Sequence, residues 1–232
     1  MAITAAQWLR FSKVLVKTLA DSKETNELLI GEEIVSRGRF ERLAKELAPL
    51  IARDPEAQDL MRDKPRMARD VVDYDALRRL PSDTVGGAYV RHLDRFGLDP
   101  DVLAQPAGSH SGWGYTDPDT AYLHERYRQV HDLWHALLGL GVEGYEEVLI
   151  HAFTWPQLRV PYSALVVSFG TLKHMILEPR WGMLTRGLRE AWQAGRDAEQ
   201  LLFVYWERRW DEPIAEARAR YGIRELRHLA AA

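Results

Sequence analysis

The chain contains His131-Asp132-Leu133-Trp134-His135, and Glu147 follows twelve positions after His135. Histidines four residues apart share one face of a helix, with Cβ atoms about 5–6 Å apart. That separation lets both imidazoles reach one metal ion at bonds of about 2.0–2.1 Å. Asp132 lies about 100° round the helix from His131 and borders the same patch. Glu147 can return from a following element and close the shell. Two nitrogens and two oxygens suit a divalent metal, zinc first, and equally iron, cobalt or manganese, because imidazole and carboxylate do not discriminate strongly.

The helix has a clear start at Asp117-Pro118-Asp119, with Asp117 as cap and Pro118 at the first helical position. From there Tyr122, Leu123, Tyr127, Val130, Trp134, Leu137 and Leu138 recur at helical spacing. Gly139, Gly141 and Gly144 break it, and Tyr145 to Phe153 read as a second helix that carries Glu147 near its start. A short turn between helices favours an antiparallel return. His124 lies on the face of His131 but about 10 Å along the axis, too far to share an ion. It reads as a surface residue or an outer support.

The rest of the sequence is also helical in pattern, with no strand-like alternation and no repeats, so the expected fold is all-α. It is read as a single multi-helix domain over residues 1–232, with the metal site on two adjacent helices. Residues 1–20 read as an amphipathic helix, with Trp8, Phe11 and Val14 expected opposite Arg10, Lys13 and Lys17, suited to capping the domain or lying on a membrane. Further helices are expected at Phe40–Ala52, Glu56–Arg62, Tyr74–Leu80 and Thr84–Phe96, the last capped by Ser82 or Asp83. Gly97–Gly114 is the one long loop, placed to act as a lid or substrate rim beside the metal helix. Residues 224–232 read as a tail. Val160–Leu177 is the most apolar stretch, but its uninterrupted core is too short for the roughly twenty residues that span a bilayer. It is either a core helix or the wall of a greasy tunnel, with Ser163, Ser168 and Gly170 leaving space. Arg208 and Arg209, between Trp206 and Trp210, can hold a phosphate or carboxylate or pair with surface acids.

Composition excludes several classes. A net charge of −3 over 232 residues argues against nucleic acid as a partner. The absence of cysteine removes disulfide frameworks and thiolate metal sites. Neither a secretory signal peptide nor a transmembrane helix is legible, so the expected setting is cytoplasmic.

The motif Tyr127-Arg128-x-Val130-His131-Asp132-x-Trp134-His135, with Leu137-Leu138-Gly139 and Glu147 after it, resembles the signature of the fourth-numbered Coq protein family of coenzyme Q (ubiquinone) biosynthesis. Arg53-Asp54-Pro55-Glu56, Asp63-Lys64-Pro65-Arg66, Leu80-Pro81-Ser82 and Tyr205-x-Glu207-Arg208-Arg209-Trp210 extend the similarity, in order, from Leu28 to Ile223. The resemblance implies a mostly helical fold and His131, Asp132, His135 and Glu147 as metal ligands and catalytic residues. It also implies action on polyprenylated ring intermediates at a membrane surface. Tyr127, Arg128, Ser168, Gly170, Arg208 and Arg209 are the substrate-binding candidates. The implied reaction is oxidative decarboxylation of a 4-hydroxybenzoate-derived ring. The alternative is a lipid-binding scaffold that organises other ubiquinone-biosynthesis enzymes around a structural zinc. The expected protein is a homo-oligomer, peripheral to the inner face of a bacterial membrane. Where the family often has proline in the turn before the Glu, this chain has Gly141-Val142-Glu143-Gly144, so Glu146 and Glu143 compete with Glu147 as ligand. A phosphohydrolase of the His-Asp class fits poorly, since it needs a separate upstream His and a distant Asp.

Overall fold

The computed structural model describes residues 25–112, 114–177 and 181–230. The expected helix over residues 1–20 lies outside them. Among the described residues there are helices and no β-strand; one isolated bridge joins Thr84 to Pro213. The fold is all-α, as expected. In chain order the helices are α1 (Thr25–Ile51), α2 (Pro55–Asp63), α3 (Tyr74–Arg79), α4 (Val85–Phe96) and α5 (Pro100–Leu103). Then come α6 (Pro118–Gln129), α7 (His131–Leu138), α8 (Gly144–Leu158), α9 (Pro161–Leu177), α10 (Trp181–Asp197), α11 (Ile214–Tyr221) and α12 (Arg227–Ala230).

Local chemistry explains most of the boundaries. Asp54, Asp73 and Asp117 each cap a helix by accepting from backbone N–H groups of its first turn. The cap of α4 is Thr84, not Ser82 or Asp83, its hydroxyl accepting from Gly87 N at 3.1 Å. The expected single helix from Asp117 to Leu138 is two. Val130, with ψ of −5°, ends α6 and opens α7, flattened from the usual helical value near −42°. His131 therefore stands at the first position of its helix.

The site hairpin sits at the centre of the bundle. Helix α4 packs on α7, while α9 and α10 pack along α8. The α8–α10 approach is close enough that a Cβ on Gly195 would fall 2.0 Å from the Phe153 carbonyl oxygen, so no larger residue fits there. Trp134, Phe153, Tyr89, Phe40 and Trp206 are buried in the core.

Two buried ion pairs tie α6 to distant segments. Arg126 is 0% exposed and bonds Glu207 through both guanidinium ends, with Val204 O as a further acceptor at 3.0 Å. Arg128 donates to Glu33 at 3.0 Å and to Gln105 O at 2.7 Å. Glu33 also accepts from Gly108 N at 2.9 Å and Ser111 N at 2.7 Å. The stretch expected as a long free loop over 97–114 thus contains helix α5 and is pinned to α1 through one carboxylate. A lid hinged there would have to break that network. Burial pushes the Glu33 carboxyl up, but the bonds from Ser111, the Arg128 charge and the Gly108 N–H outweigh it and hold the group below its usual 4.5.

Removing one member of a buried pair leaves the other charge unpaired, at a cost of about 3–5 kcal/mol. Arg126→Ala is expected to lower unfolding free energy by that order in urea titration, with Arg208→Ala, an exposed pair, changing it by less than about 1 kcal/mol. Glu33 carries a depressed folded pKa, so its stabilisation is present above pH 4.5 and lost as pH falls through the folded value. Amides of residues 105–112 should therefore lose hydrogen-exchange protection on acidification before the α7–α8 helices do; simultaneous loss would contradict the pinning.

Candidate metal centre

The α7–α8 turn is built to aim one glutamate. Gly139 adopts φ of +70°, the left-handed stop that ends α7, and Leu140 N bonds His135 O at 3.0 Å. Glu143 then caps α8, and Glu146 completes the capping box by reaching back to the Glu143 N–H at 3.0 Å. The same carboxylate accepts from Gly141 N at 2.7 Å. A Cβ at Gly141 would lie 2.6 Å from it, so a larger residue would have to displace that carboxylate. Glu143 and Glu146 are thereby occupied by backbone, and Glu147 is the acid left facing α7.

His131 Nε2 and His135 Nε2 lie 3.2 Å apart. Glu147 meets both, Oε2 at 3.5 Å from His131 and Oε1 at 3.4 Å from His135. The nitrogen–nitrogen separation is close to the edge of about 3.3–3.4 Å expected for two donors bonded at about 2.0–2.1 Å to one tetrahedral ion, and each nitrogen has its own carboxylate oxygen at similar range. One ligand atom from each of the three lies within 4.8 Å of the others. Asp132, expected as a fourth ligand, is not in that set. It is 8% exposed, and burial raises its carboxyl while the two histidines oppose the rise. His135 is fully buried, and the side chains of His131 and Glu147 are 17% and 35% exposed, so the centre is approached from their side. Burial alone would raise Glu147, but the His135 charge and the bonds from both rings hold it well below the usual range. Burial likewise pulls His131 down, and the Glu147 contact outweighs it, leaving His131 above 6.5. An ionised carboxylate facing two imidazoles is a cation-seeking cluster.

Two more histidines flank the donors. His92 of α4 has its ring centroid 5.6 Å from His135, and His151 of α8 lies 5.5 Å from His131. Burial, then the charges of the neighbouring histidines, push each down to about 3, so both are neutral. His151 Nδ1 lies 3.0 Å from Ser163 Oγ. Both had a signal in the sequence. His92 falls on the apolar stripe Val85, Tyr89, His92, Phe96, and His151 is one helical turn after Glu147. A cavity of about 780 Å³ opens beside His92, with Arg91, Phe96, Leu140 and Tyr145 among its lining residues; none of the three donors lines it.

The other expected site residues are placed differently. His124 is not a surface residue: it is 1% exposed, stacked on Phe40 at 4.2 Å, with Nε2 on Glu32 and Nδ1 on Tyr115. Tyr127 is buried against Phe40, and Arg128 is committed to Glu33. Ser168 is exposed, and the space beside Gly170 is taken by a Val148 methyl 2.4 Å from where a Cβ would stand. Arg208 pairs with Asp59 and Asp63, and Arg209 with Glu56 and Glu212, fastening the Trp206–Arg208 turn to α2.

A bundle of helices with two histidines and a glutamate brought together on one hairpin defines an all-α protein with a compact group of side chains that could hold a metal ion. The family model of the coenzyme Q (ubiquinone) biosynthesis protein Coq4 matches residues 9–227, and the chain belongs to that family. It is 32% identical over 184 residues to the ubiquinone biosynthesis protein COQ4 homolog, mitochondrial, of Bos taurus, covering 79% of this chain and 67% of the relative. The COQ4 homolog of Xenopus tropicalis, also named mitochondrial, is 33% identical over 179 residues, 77% of this chain and 61% of its own length. The Coprinopsis cinerea COQ4 is 32% identical over 73% of this chain, a match that spans 56% of that relative. A crystal structure of a Nostoc punctiforme protein named for ubiquinone biosynthesis superposes with a TM-score of 0.70 at 21% identity, covering 93% of this chain and 96% of that one. It supports the fold.

His131→Ala and His135→Ala are each expected to abolish stoichiometric zinc binding, measured by metal analysis after dialysis. Glu147→Gln should weaken it less, because an amide oxygen remains a poor donor. Glu146→Gln should lower stability by about 1 kcal/mol through the cap and leave metal content intact. Metal loss in the Glu146 variant alone would reverse the assignment.

Proposed function

We propose that this protein acts in ubiquinone biosynthesis as a metal-assisted oxidative decarboxylase of a polyprenylated, 4-hydroxybenzoate-derived ring. The observation that carries the reading is the convergence of His131, His135 and Glu147, with one ligand atom from each within 4.8 Å of the others, in a chain of the Coq4 family. Three protein donors leave a fourth tetrahedral position for a substrate oxygen, the arrangement of catalytic rather than structural zinc sites. A bound divalent ion would supply Lewis-acid polarisation of a ring carboxylate or phenolate. Zinc is the first candidate, and iron, cobalt and manganese suit the same donors.

The residues divide the work. His131, His135 and Glu147 hold the ion, and Glu147 stays ionised because both rings face it. Asp132 adds a buried carboxyl beside them without joining the group. In the reaction the ring carboxyl leaves as CO₂, one atom of O₂ replaces it on the same carbon, and the other leaves as water when the ring departs as the quinone. Oxygen is the oxidant and the ring is oxidised.

A second reading, the lipid-binding scaffold, is favoured by one observation. Helix α9 is the most apolar segment, yet Leu172 on it is 53% exposed and Ser168 is exposed. No helix among the described residues is long and apolar enough to cross a membrane, so contact with lipid through this face would be peripheral. Both readings share the metal and differ in turnover. With a short-tailed 4-hydroxybenzoate analogue, zinc-loaded protein is expected to consume O₂ and release CO₂ in equal amounts, and chelated protein or His135→Ala to do neither. Loaded protein that binds the analogue without CO₂ release would favour the scaffold.

A further inference from the structure

His135 Nδ1 is buried without a hydrogen-bond partner among the described residues, and so is His92 Nε2. An imidazole that offers Nε2 to a metal keeps its proton on Nδ1, and that proton needs an acceptor. Usually a carboxylate or a backbone carbonyl serves. Here neither does among the described residues, and the neighbour with an unused nitrogen is His92.

The two rings are near-parallel neighbours whose facing nitrogens would meet only after a rotation of one ring. The two centroids are 5.6 Å apart, with planes 24° from parallel. A true stack in this protein, Phe40 on His124, has centroids 4.2 Å apart. Two imidazoles joined edge to edge by a bond of about 3.0 Å have centroids roughly 5.2 Å apart, since each nitrogen is about 1.1 Å from its ring centre. The observed separation of 5.6 Å is longer than that figure, so the rings must draw closer for the bond to form. His92 also borders the cavity beside α4, which leaves its ring room to turn.

We propose that His92 is the positioning residue of the metal centre: its Nε2 accepts the Nδ1 proton of His135 and so fixes the tautomer that points His135 Nε2 at the ion. His92 touches neither ion nor substrate and acts through His135 alone. The role joins α4 to the α7–α8 hairpin through one polar contact. It also gives a purpose to two buried nitrogens that would otherwise each lack a partner, which proteins rarely tolerate.

This inference rests on the metal reading, and its test separates the two. Zinc affinity of the full chain is measured by competition with a chromogenic chelator for wild type, His92→Leu and His92→Gln. Histidine ¹⁵N spectra of the zinc-loaded proteins report the tautomer and hydrogen bonding of His135. Glutamine keeps an acceptor oxygen near the reach of Nε2, and leucine keeps only bulk. His92→Leu is expected to bind zinc about 10–100-fold more weakly, as other outer partners of metal-binding histidines do. His92→Gln should stay near the wild-type affinity, and wild-type His135 should show a hydrogen-bonded Nδ1 proton. Zinc binding by folded His92→Leu at wild-type affinity would overturn the proposal, as would a glutamine variant as weak as the leucine one. Should the leucine variant fail to fold, the wild-type spectrum decides: a His135 Nδ1 proton with no hydrogen bond is equally fatal. Failure of wild type to bind zinc at all would instead remove the metal reading itself.

Discussion

The carboxylate of Glu146 closes the turn between α7 and α8, and the site depends on that closure. It accepts from Gly141 N and Glu143 N at 2.7 and 3.0 Å, satisfying two donors that would otherwise stand open at a helix start. With the turn fixed, α8 runs back along α7, and the residue after Glu146 points at the two histidines. An acid adjacent to Glu147 therefore does structural work that sets the direction of its neighbour. Its own hydrogen bonds hold it away from the two histidines.

A second level of organisation lies in the charges buried along α6. Arg126 and Arg128 face opposite destinations, one to Glu207 near the end of the chain and one to Glu33 near its start. Charges in a core are costly unless fully bonded, and both guanidinium groups have further carbonyl partners, Val204 O and Gln105 O. These contacts bring segments separated by 81 and 95 positions against the helix that precedes the site. The hydrophobic core gives the bundle most of its cohesion, and the arginines specify which segments meet.

The parts of this architecture that depend on local chemistry were legible in the sequence. Asp54-Pro55 and Asp117-Pro118 announce helix starts because a carboxylate cap and a proline without an N–H both suit that position. The His131–His135 pair is fixed by helical spacing alone. What escaped was set by contacts across the fold. Nothing near His124 in sequence shows that Glu32 waits 92 positions away to bond it. The break at Val130 has no residue pattern to announce it. Gly170 looked like space in a tunnel, but a neighbouring helix fills it. Asp132 follows His131 directly along the chain, and it is buried near the two histidines without joining the His131, His135 and Glu147 group.

The turn also acts as a ruler. Gly139 stops one helix, and the Glu143–Glu146 box starts the next, so the count of residues from His135 to Glu147 decides which way Glu147 faces. Adding one residue inside α8 before Glu147 would swing it by about 100° and carry its carboxylate off the histidines. Length there matters as much as composition: Gly141 has to keep its N–H for Glu146, and the tally from His135 has to hold. Among relatives that drift far in sequence, insertions should accordingly collect at the bundle's outer connections and spare these few positions.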